Sequence, residues 1–291
     1  MAKLRGIVTL TRPYVLVTTL SFFVTSAFLS VNTIPPLLPF FIGFIATGLA
    51  IASAHILNDY ADREADKANP RTVKRPIPSG LVPARQALIV GLGFGLSALI
   101  LTIFLNPFCT ILALFGAPLP FLYNYLRKRS LPISFICTVL AVIFIILFGS
   151  TSASGQFSSN FVWLFVIFGM SWEMGRTFAS EVQDVDTDTI SNVMTLSVSI
   201  SSKRAAQLIF GSFTTAVVVS LLIGFFGQLG FIYLIPTLAV AIWLIYRTLE
   251  LVRAPTTPNA VKTKIRASKY LIVISITLSG ATLVNSLLLG I

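Results

Sequence analysis

Charge is scarce in this 291-residue chain: 11% of its residues are Asp, Glu, Lys or Arg, while 55% are hydrophobic. A soluble globular domain carries roughly a quarter charged residues, so a mean hydropathy of +0.89 excludes that class. Most of the chain must face lipid or other apolar helices. Cysteine and histidine are scarcer still. Cys109 and Cys137 lie inside apolar runs and read as small core hydrophobes; two cysteines build neither a disulfide framework nor a zinc site. The single histidine, His55, stands four residues before Asp59 with no second imidazole to share a metal, and reads as a packing or helix-polar residue. A cleavable signal peptide is not expected, because the first apolar run is as long as a membrane span and lacks a small-residue cleavage site.

What is abundant is apolar sequence in long runs. A membrane span needs roughly 20 apolar residues, and that ruler gives about nine candidates, near 14–31, 37–57, 86–105, 108–126, 133–150, 160–180, 206–225, 229–247 and 269–289. Turn-forming residues separate them: Asn32 to Pro36, Asn106-Pro107, Pro132, Thr151 to Asn160, Gly227, and Pro255 to Pro258. Only Asn106-Pro107 divides the third candidate from the fourth.

Charge placement gives an orientation. With a cytoplasmic N-terminus, basic residues should gather at the N-terminus and after the even-numbered spans. Lys3, Arg5 and Arg12 precede the first span, and Arg63, Lys67, Arg71, Lys74, Arg75 and Arg85 fall between the second and third. Arg127, Lys128 and Arg129 follow the fourth, Arg176, Lys203 and Arg204 flank the loop after the sixth, and Arg247 through Lys269 lie between the eighth and ninth. The net charge of +11 is therefore topological and requires no nucleic acid, although it favours an anionic leaflet. Acidic residues contribute little to orientation, yet all ten lie at or toward that face, eight of them in two groups, with Glu173, late in the sixth span, and Glu250 the exceptions.

The first group, Asn58-Asp59-Tyr60-Ala61-Asp62-Arg63-Glu64-Ala65-Asp66, closes the second span; the second, Glu181 to Asp188, closes the sixth. Asp59, Asp62 and Asp66 stand at i, i+3 and i+7, as do Glu181, Asp184 and Asp188, so each trio shares one helix face. Stacked like charges repel, and a helix C-terminus disfavours anions. A cation between the stripes resolves both conflicts. All-oxygen donors suit a hard ion, Mg²⁺ above all, which keeps waters and bridges to substrate phosphates. A solvated helix end and a proton relay are the alternatives; the repeated spacing disfavours the first, and a relay would place its carboxylates singly and deeper.

The sequence resembles the UbiA superfamily of intramembrane prenyltransferases. Asn58-Asp-X-X-Asp62-X-X-X-Asp66 matches that family's NDxxDxxxD signature, and Glu181-X-X-Asp184-X-X-X-Asp188 its second motif, DxxDxxxD, with glutamate first. Arg12-Pro13, Lys74-Arg75-Pro76-Ile77-Pro78-Ser79-Gly80, the Tyr123 to Lys128 segment and the nine-span count extend the likeness over nearly the whole chain. It implies an all-α membrane protein, one polytopic domain over 1–291, its helices bundled around a central cavity with a cytoplasmic-side cap. Pro76 and Pro78 limit helix in that cap loop, and Gly80 supplies a permissive turn.

The resemblance further implies a prenyl diphosphate donor held through Mg²⁺ between the motifs, on the cytoplasmic side of a multi-pass membrane protein. Asn58, Asp62 and Asp66 would bind one ion, and Asp184 and Asp188 a second, with Asp59 and Glu181 supporting. Asp62, Asp66, Asp184, Asp188 and Lys128 are the candidate catalytic residues. Asn58, Lys74, Arg75, Tyr123, Arg127 and Arg176 are the candidates for binding substrate, with cations matched to phosphate and a tyrosine ring face shielding an allylic cation. Arg127 to Arg129 also fit a positive-inside anchor, interfacial tyrosines are common anchors, and Arg176 could instead pair with Glu173.

The acceptor would be lipophilic, with quinone-precursor aromatics placed ahead of glycerophosphate ether lipids, even though Lys74 to Gly80 is similar to the glycerophosphate and chlorophyll branches. Terpene cyclisation by the same ionisation remains open, as does, from another class, a membrane transporter, which would place ionisable groups near the bilayer midplane.

Overall fold

The computed structural model describes residues 2–68, 72–126, 131–156, 159–190 and 200–289, and among them every regular element is a helix. They are α1 (Ala2–Leu10), α2 (Pro13–Val31), α3 (Leu37–Ala61), α4 (Arg63–Ala68), α5 (Ala84–Ile103), α6 (Pro107–Gly116) and α7 (Leu119–Leu126). There follow α8 (Leu131–Ser154), α9 (Asn160–Ile190), α10 (Ser202–Phe226), α11 (Gly230–Arg253) and α12 (Thr257–Leu289). In lipid every backbone polar group must be satisfied within the chain, which a helix does locally. Seven helices, α2, α3, α5, α8, α10, α11 and α12, are long and apolar enough to cross a membrane. The chain is an integral, multi-pass membrane protein.

The expected fourth span is two short helices. Pro118 and Pro120 remove backbone donors at the break after Gly116, leaving α6 and α7 with a turn between them. The expected sixth span is part of α9, where Glu173, Arg176 and the acidic C-terminal turns interrupt the apolar run. Asn106 caps α6 by accepting from the Cys109 amide at 3.1 Å, with Pro107 at the first helical position. The segment from Arg247 to Lys269 is not a loop: α11 runs to Arg253, α12 begins at Thr257, and three residues join them.

The helices close on themselves. Going round, α2 packs on α3, α3 on α5, α5 on α6, α6 and α7 on α8, α8 on α9, α9 on α10, α10 on α11, and α11 on α12, which returns to α2. Glycine permits the closest approach, between α2 and α8, where a Cβ on Gly149 would stand 2.5 Å from the Phe23 carbonyl oxygen. Between α3 and α5, Ser53 donates to the Gly91 carbonyl at 2.7 Å. One core joins α2, α8, α9, α10, α11 and α12 through Phe22, Phe165, Phe168, Trp172, Phe213 and Tyr270. Within it Phe165 and Phe168 stack at 5.2 Å. Isoleucine, leucine and phenylalanine side chains such as Leu38, Phe231 and Ile276 are exposed on the outside, as a lipid-facing surface requires.

At the charged end, residues 72–83 fold into successive turns, with Val82 donating to the Pro76 carbonyl at 2.9 Å and Gly80 at φ +78°. Ile77 and Val82 are buried with Leu10, Ile56 and Ala87, which ties the loop to α1, α3 and α5.

Candidate active site

A cavity of about 1970 Å³ occupies the middle of the ring, lined from α2, α3, α4, α5, α6, α7, α8, α9 and α12. Its wall brings together residues that the sequence keeps more than a hundred positions apart. Asn58, Asp62 and Asp66 at the α3–α4 junction, Arg176 and Asp184 of α9, Tyr123 of α7 and Arg75 of the loop before α5 all face it.

The stripe on the cavity is Asn58, Asp62 and Asp66 rather than the expected Asp59, Asp62 and Asp66, and it runs across a helix break. Asp62 caps α3 at φ −84°, ψ 0°, yet its amide still donates to Asn58 O at 3.0 Å and the Asp66 amide to Asp62 O at 2.9 Å. The helical register therefore continues into α4, and the three side chains keep one face. Thr72 steadies that turn by donating to Asp66 O at 3.2 Å.

Asp59, one position off that face, does not line the cavity. It is buried, and its Oδ1 accepts from Arg12 Nη2 at 2.5 Å and from Arg75 Nη1 at 3.4 Å. Arg75 Nη1 also donates to Asp66 Oδ2 at 2.8 Å. Arg12 holds a left-handed conformation, φ 50° and ψ 68°, immediately before Pro13. Such a conformation costs of order 1–3 kcal/mol and persists where surroundings fix it; the ion pair to Asp59 supplies that restraint. Arg12 and Arg75 thus stand as counter-ions beside the first motif, and both also face the cavity.

On α9 the Glu173 carboxylate accepts from Arg176 Nε at 2.8 Å, from Arg176 Nη2, and from Thr177 Oγ1 at 3.2 Å. Trp172 anchors the same turn by donating Nε1–H to Ala267 O at 3.0 Å. Closer to the second motif, Gln183 accepts at Oε1 from Lys264 Nζ at 2.9 Å, and both residues line the cavity. Arg176 therefore takes both of its expected places, paired with Glu173 and facing the cavity.

Lys74 and Glu181 are not in the cavity wall. Asp188 lies in α9, with its side chain outside the described residues, and Arg127, Lys128 and Arg129 lie outside them altogether. Tyr123 faces the cavity, whereas Tyr125 is exposed. The expectations did not single out Lys264, Gln183, Thr177 or the counter-ion role of Arg12. Of these only Arg12 carried a sequence signal, in Arg12-Pro13. His55, a turn before Asn58, is also in the wall, and its Nε2 has no hydrogen-bond partner among the described residues.

Among the described residues no three Asp, Glu, His or Cys side chains converge to hold an ion by themselves. The donor set nonetheless fits Mg²⁺. Asn58, Asp62, Asp66 and Asp184 offer oxygen alone, and Mg²⁺ is ordinarily held by one or two carboxylates, waters and substrate phosphates rather than by an all-protein cage. A ring of membrane-crossing helices around a cavity that is acidic and guanidinium-rich at one end and apolar below defines a membrane-embedded enzyme.

The family-wide sequence pattern of the UbiA prenyltransferase family matches residues 16–274. The chain belongs to that family. It is 32% identical to a digeranylgeranylglyceryl phosphate synthase of Korarchaeum cryptofilum over 64% of this chain and 65% of that protein, just under two thirds. It is 28% identical to the protein of the same name from Natronomonas pharaonis, over 84% of this chain and 88% of that one. In three dimensions it is similar to a UbiA homolog from Archaeoglobus fulgidus bound to GPP and Mg²⁺, with a TM-score of 0.65 at 14% identity, covering 94% of this chain and 99% of that one.

Proposed function

We propose that this chain catalyses Mg²⁺-dependent transfer of a prenyl group from a prenyl diphosphate to a lipophilic acceptor, at the cytoplasmic end of its cavity. The observation that carries the reading is that Asn58, Asp62 and Asp66 from α3 and α4 face one cavity with Asp184 from α9. The GPP and Mg²⁺ in the Archaeoglobus homolog support it.

Asn58, Asp62 and Asp66 would hold one ion, Asp184 and Asp188 another. Mg²⁺ held there would supply positive charge that stabilises the diphosphate as a leaving group. The chain's own residues do the rest. Arg75, placed by Asp59 and Asp66, presents guanidinium charge to the diphosphate end. Lys74 adds to the positive field around it, and Arg127 and Lys128, which lie outside the described residues, stay candidates for the same role on the sequence alone. Asp59 acts through Arg12 and Arg75, since its carboxylate is already engaged by both. Tyr123 faces the cavity, where its ring can shield an allylic cation. The apolar wall of Phe22, Leu96, Phe144, Ile145 and Phe148 accommodates the hydrocarbon tail and excludes water from the ionised donor.

For the acceptor, the names of the Korarchaeum and Natronomonas relatives favour a glycerophosphate ether lipid, in line with the Lys74 to Gly80 segment. That places it ahead of the quinone-precursor aromatic that the breadth of the family suggests. The test is mass spectrometry of products from purified protein, Mg²⁺, a mixture of prenyl diphosphates, and a panel of glycerophosphate ethers and hydroxylated aromatics. A prenylated ether with equimolar diphosphate release is expected. Cyclic product from donor alone would move the reading to a cyclase, and absence of diphosphate release from every donor would refute it.

A further inference from the structure

The outer surface of α11 and α12 carries a second arrangement that the reaction does not use. On α12, Val261, Lys264, Ile265 and Ser268 line the cavity. Lys262, Arg266 and Lys269 recur at i, i+4 and i+7 on a different face, and Ile276, seven residues further on, continues that stripe as an exposed apolar side chain. On α11, Trp243, Arg247 and Glu250 recur at i, i+4 and i+7, and none of the three lines the cavity.

The two stripes meet. The Arg266 guanidinium stands over the Trp243 ring at 5.3 Å from its centroid, and Glu250 lies within electrostatic reach of both Arg266 and Lys262. Glu250 is the one acid there, and it is engaged by Arg247 at 2.7 and 2.9 Å. Among the described residues, Lys262, Arg266 and Lys269 have no carboxylate within ion-pair distance. A buried nitrogen of the same cluster, Arg247 Nε, has no hydrogen-bond partner there either.

We propose that this groove binds the phosphate headgroup of an anionic membrane lipid. A guanidinium stacked on an indole is held flat with its donor edge outward, the geometry that receives a phosphate oxygen pair. Lys262 and Lys269 add point charge one turn to either side. Further along α12, Ile276 continues the cationic stripe as an exposed apolar side chain, and Ile235, Leu238 and Ile242 on the adjoining side of α11 are exposed and apolar, a surface on which acyl chains can lie. That continuity commits the site to a lipid rather than to free phosphate. Basic clusters between transmembrane helices at the cytoplasmic interface are general sites for such headgroups, with cation and aromatic residues side by side at that depth.

The test uses the full chain in neutral detergent, with lipid binding read by native mass spectrometry and by the thermal midpoint. The probes are dioleoyl phosphatidylglycerol, dioleoyl phosphatidylcholine and inorganic phosphate. Saturable binding and stabilisation by phosphatidylglycerol alone is expected. It should weaken about 25-fold in Lys262→Gln/Lys269→Gln, two exposed positions that do not threaten folding, at about fivefold per cation. Arg266→Gln should weaken it by more than the fivefold of one lysine, and release of diphosphate from GPP in lipid-free detergent should stay at the wild-type rate in both the double variant and Arg266→Gln. Equal stabilisation by the two lipids, or a double variant that keeps the preference, would overturn the proposal. Equal stabilisation by inorganic phosphate would overturn the lipid assignment.

Discussion

Replacing Asp59 by asparagine separates an ion-pair anchor from a metal ligand. Asp59 is 3% exposed, and its single Oδ1 serves Arg12 at 2.5 Å and Arg75 at 3.4 Å. Asparagine keeps the shape and one accepting oxygen but removes the charge that two guanidinium groups share. Stripping one partner from a fully buried pair costs about 3–5 kcal/mol. Here the arginine side chains are 33% and 29% exposed, so water recovers part of the loss. Arg75 also keeps Asp66 at 2.8 Å. The net loss should be about 2 kcal/mol, with most of it on the Arg12 side.

Thermal unfolding in detergent measures that loss, and a cycle with Arg12→Gln isolates the pair, which should couple by about 1–2 kcal/mol. Diphosphate release titrated with Mg²⁺ supplies the second readout. Asp59→Asn should leave the half-saturating Mg²⁺ concentration within about twofold of wild type, while Asp62→Asn raises it by tenfold or more, on the order of the contribution of one charged ligand. An Asp59→Asn protein of unchanged stability whose Mg²⁺ requirement rises as steeply as that of Asp62→Asn would refute the anchor role.

Three further substitutions probe the scaffold, each read by the thermal midpoint in detergent. Gly149→Ala drives a methyl into the Phe23 carbonyl across the α2–α8 contact and should cost about 1–3 kcal/mol, whereas Gly211→Ala meets open space and should not destabilise. Glu173→Gln leaves Arg176 charged on the cavity wall and, with that side chain 35% exposed, should cost about 2 kcal/mol; the Glu173→Gln/Arg176→Gln double variant should recover part of it. Tyr270→Phe removes the 2.6 Å bond between Tyr270 Oη and Ser220 Oγ and should cost about 1 kcal/mol, with little effect on diphosphate release, because neither residue lines the cavity.

Helices set by local physics were legible in the sequence. Lipid imposes a length of apolar chain that α2, α3, α5 and α8 display openly, and Asn106-Pro107 marks its helix start by capping chemistry. Where function intrudes on hydropathy, reading by apolar length loses its hold. In α9, Glu173 and Arg176 interrupt the span, and Pro118 and Pro120 split the expected fourth span into α6 and α7.

The first half of α12 falls between the expected eighth and ninth spans for a related reason. Its lysines and arginines look like a connection until the alternation of Val261, Ile265 and Ser268 with Lys262, Arg266 and Lys269 is taken as two helix faces. At the site, periodicity puts Asp59, Asp62 and Asp66 on one face, but in the structure Asn58 joins Asp62 and Asp66 in the cavity wall while Asp59 turns to Arg12 and Arg75. Periodicity could not bring Arg12 to Asp59, 47 residues away, or Lys264 to Gln183, 81 residues away, because those contacts arise only when the ring of helices closes. The counter-ions of the first motif are tertiary, whereas its stripe is local.

The most direct test of the shared acidic site is a double-mutant cycle between its two halves. Diphosphate release from GPP with saturating Mg²⁺ is measured for Asp62→Asn, Asp184→Asn and the pair. Each single variant should lose about 10²–10³-fold, the scale of one removed charge-stabilising group. The double variant should fall far short of the product of the two losses, because both residues serve one diphosphate across one cavity. Wild-type release in either single variant, or losses that multiply in the pair, would contradict a single site built from α3, α4 and α9.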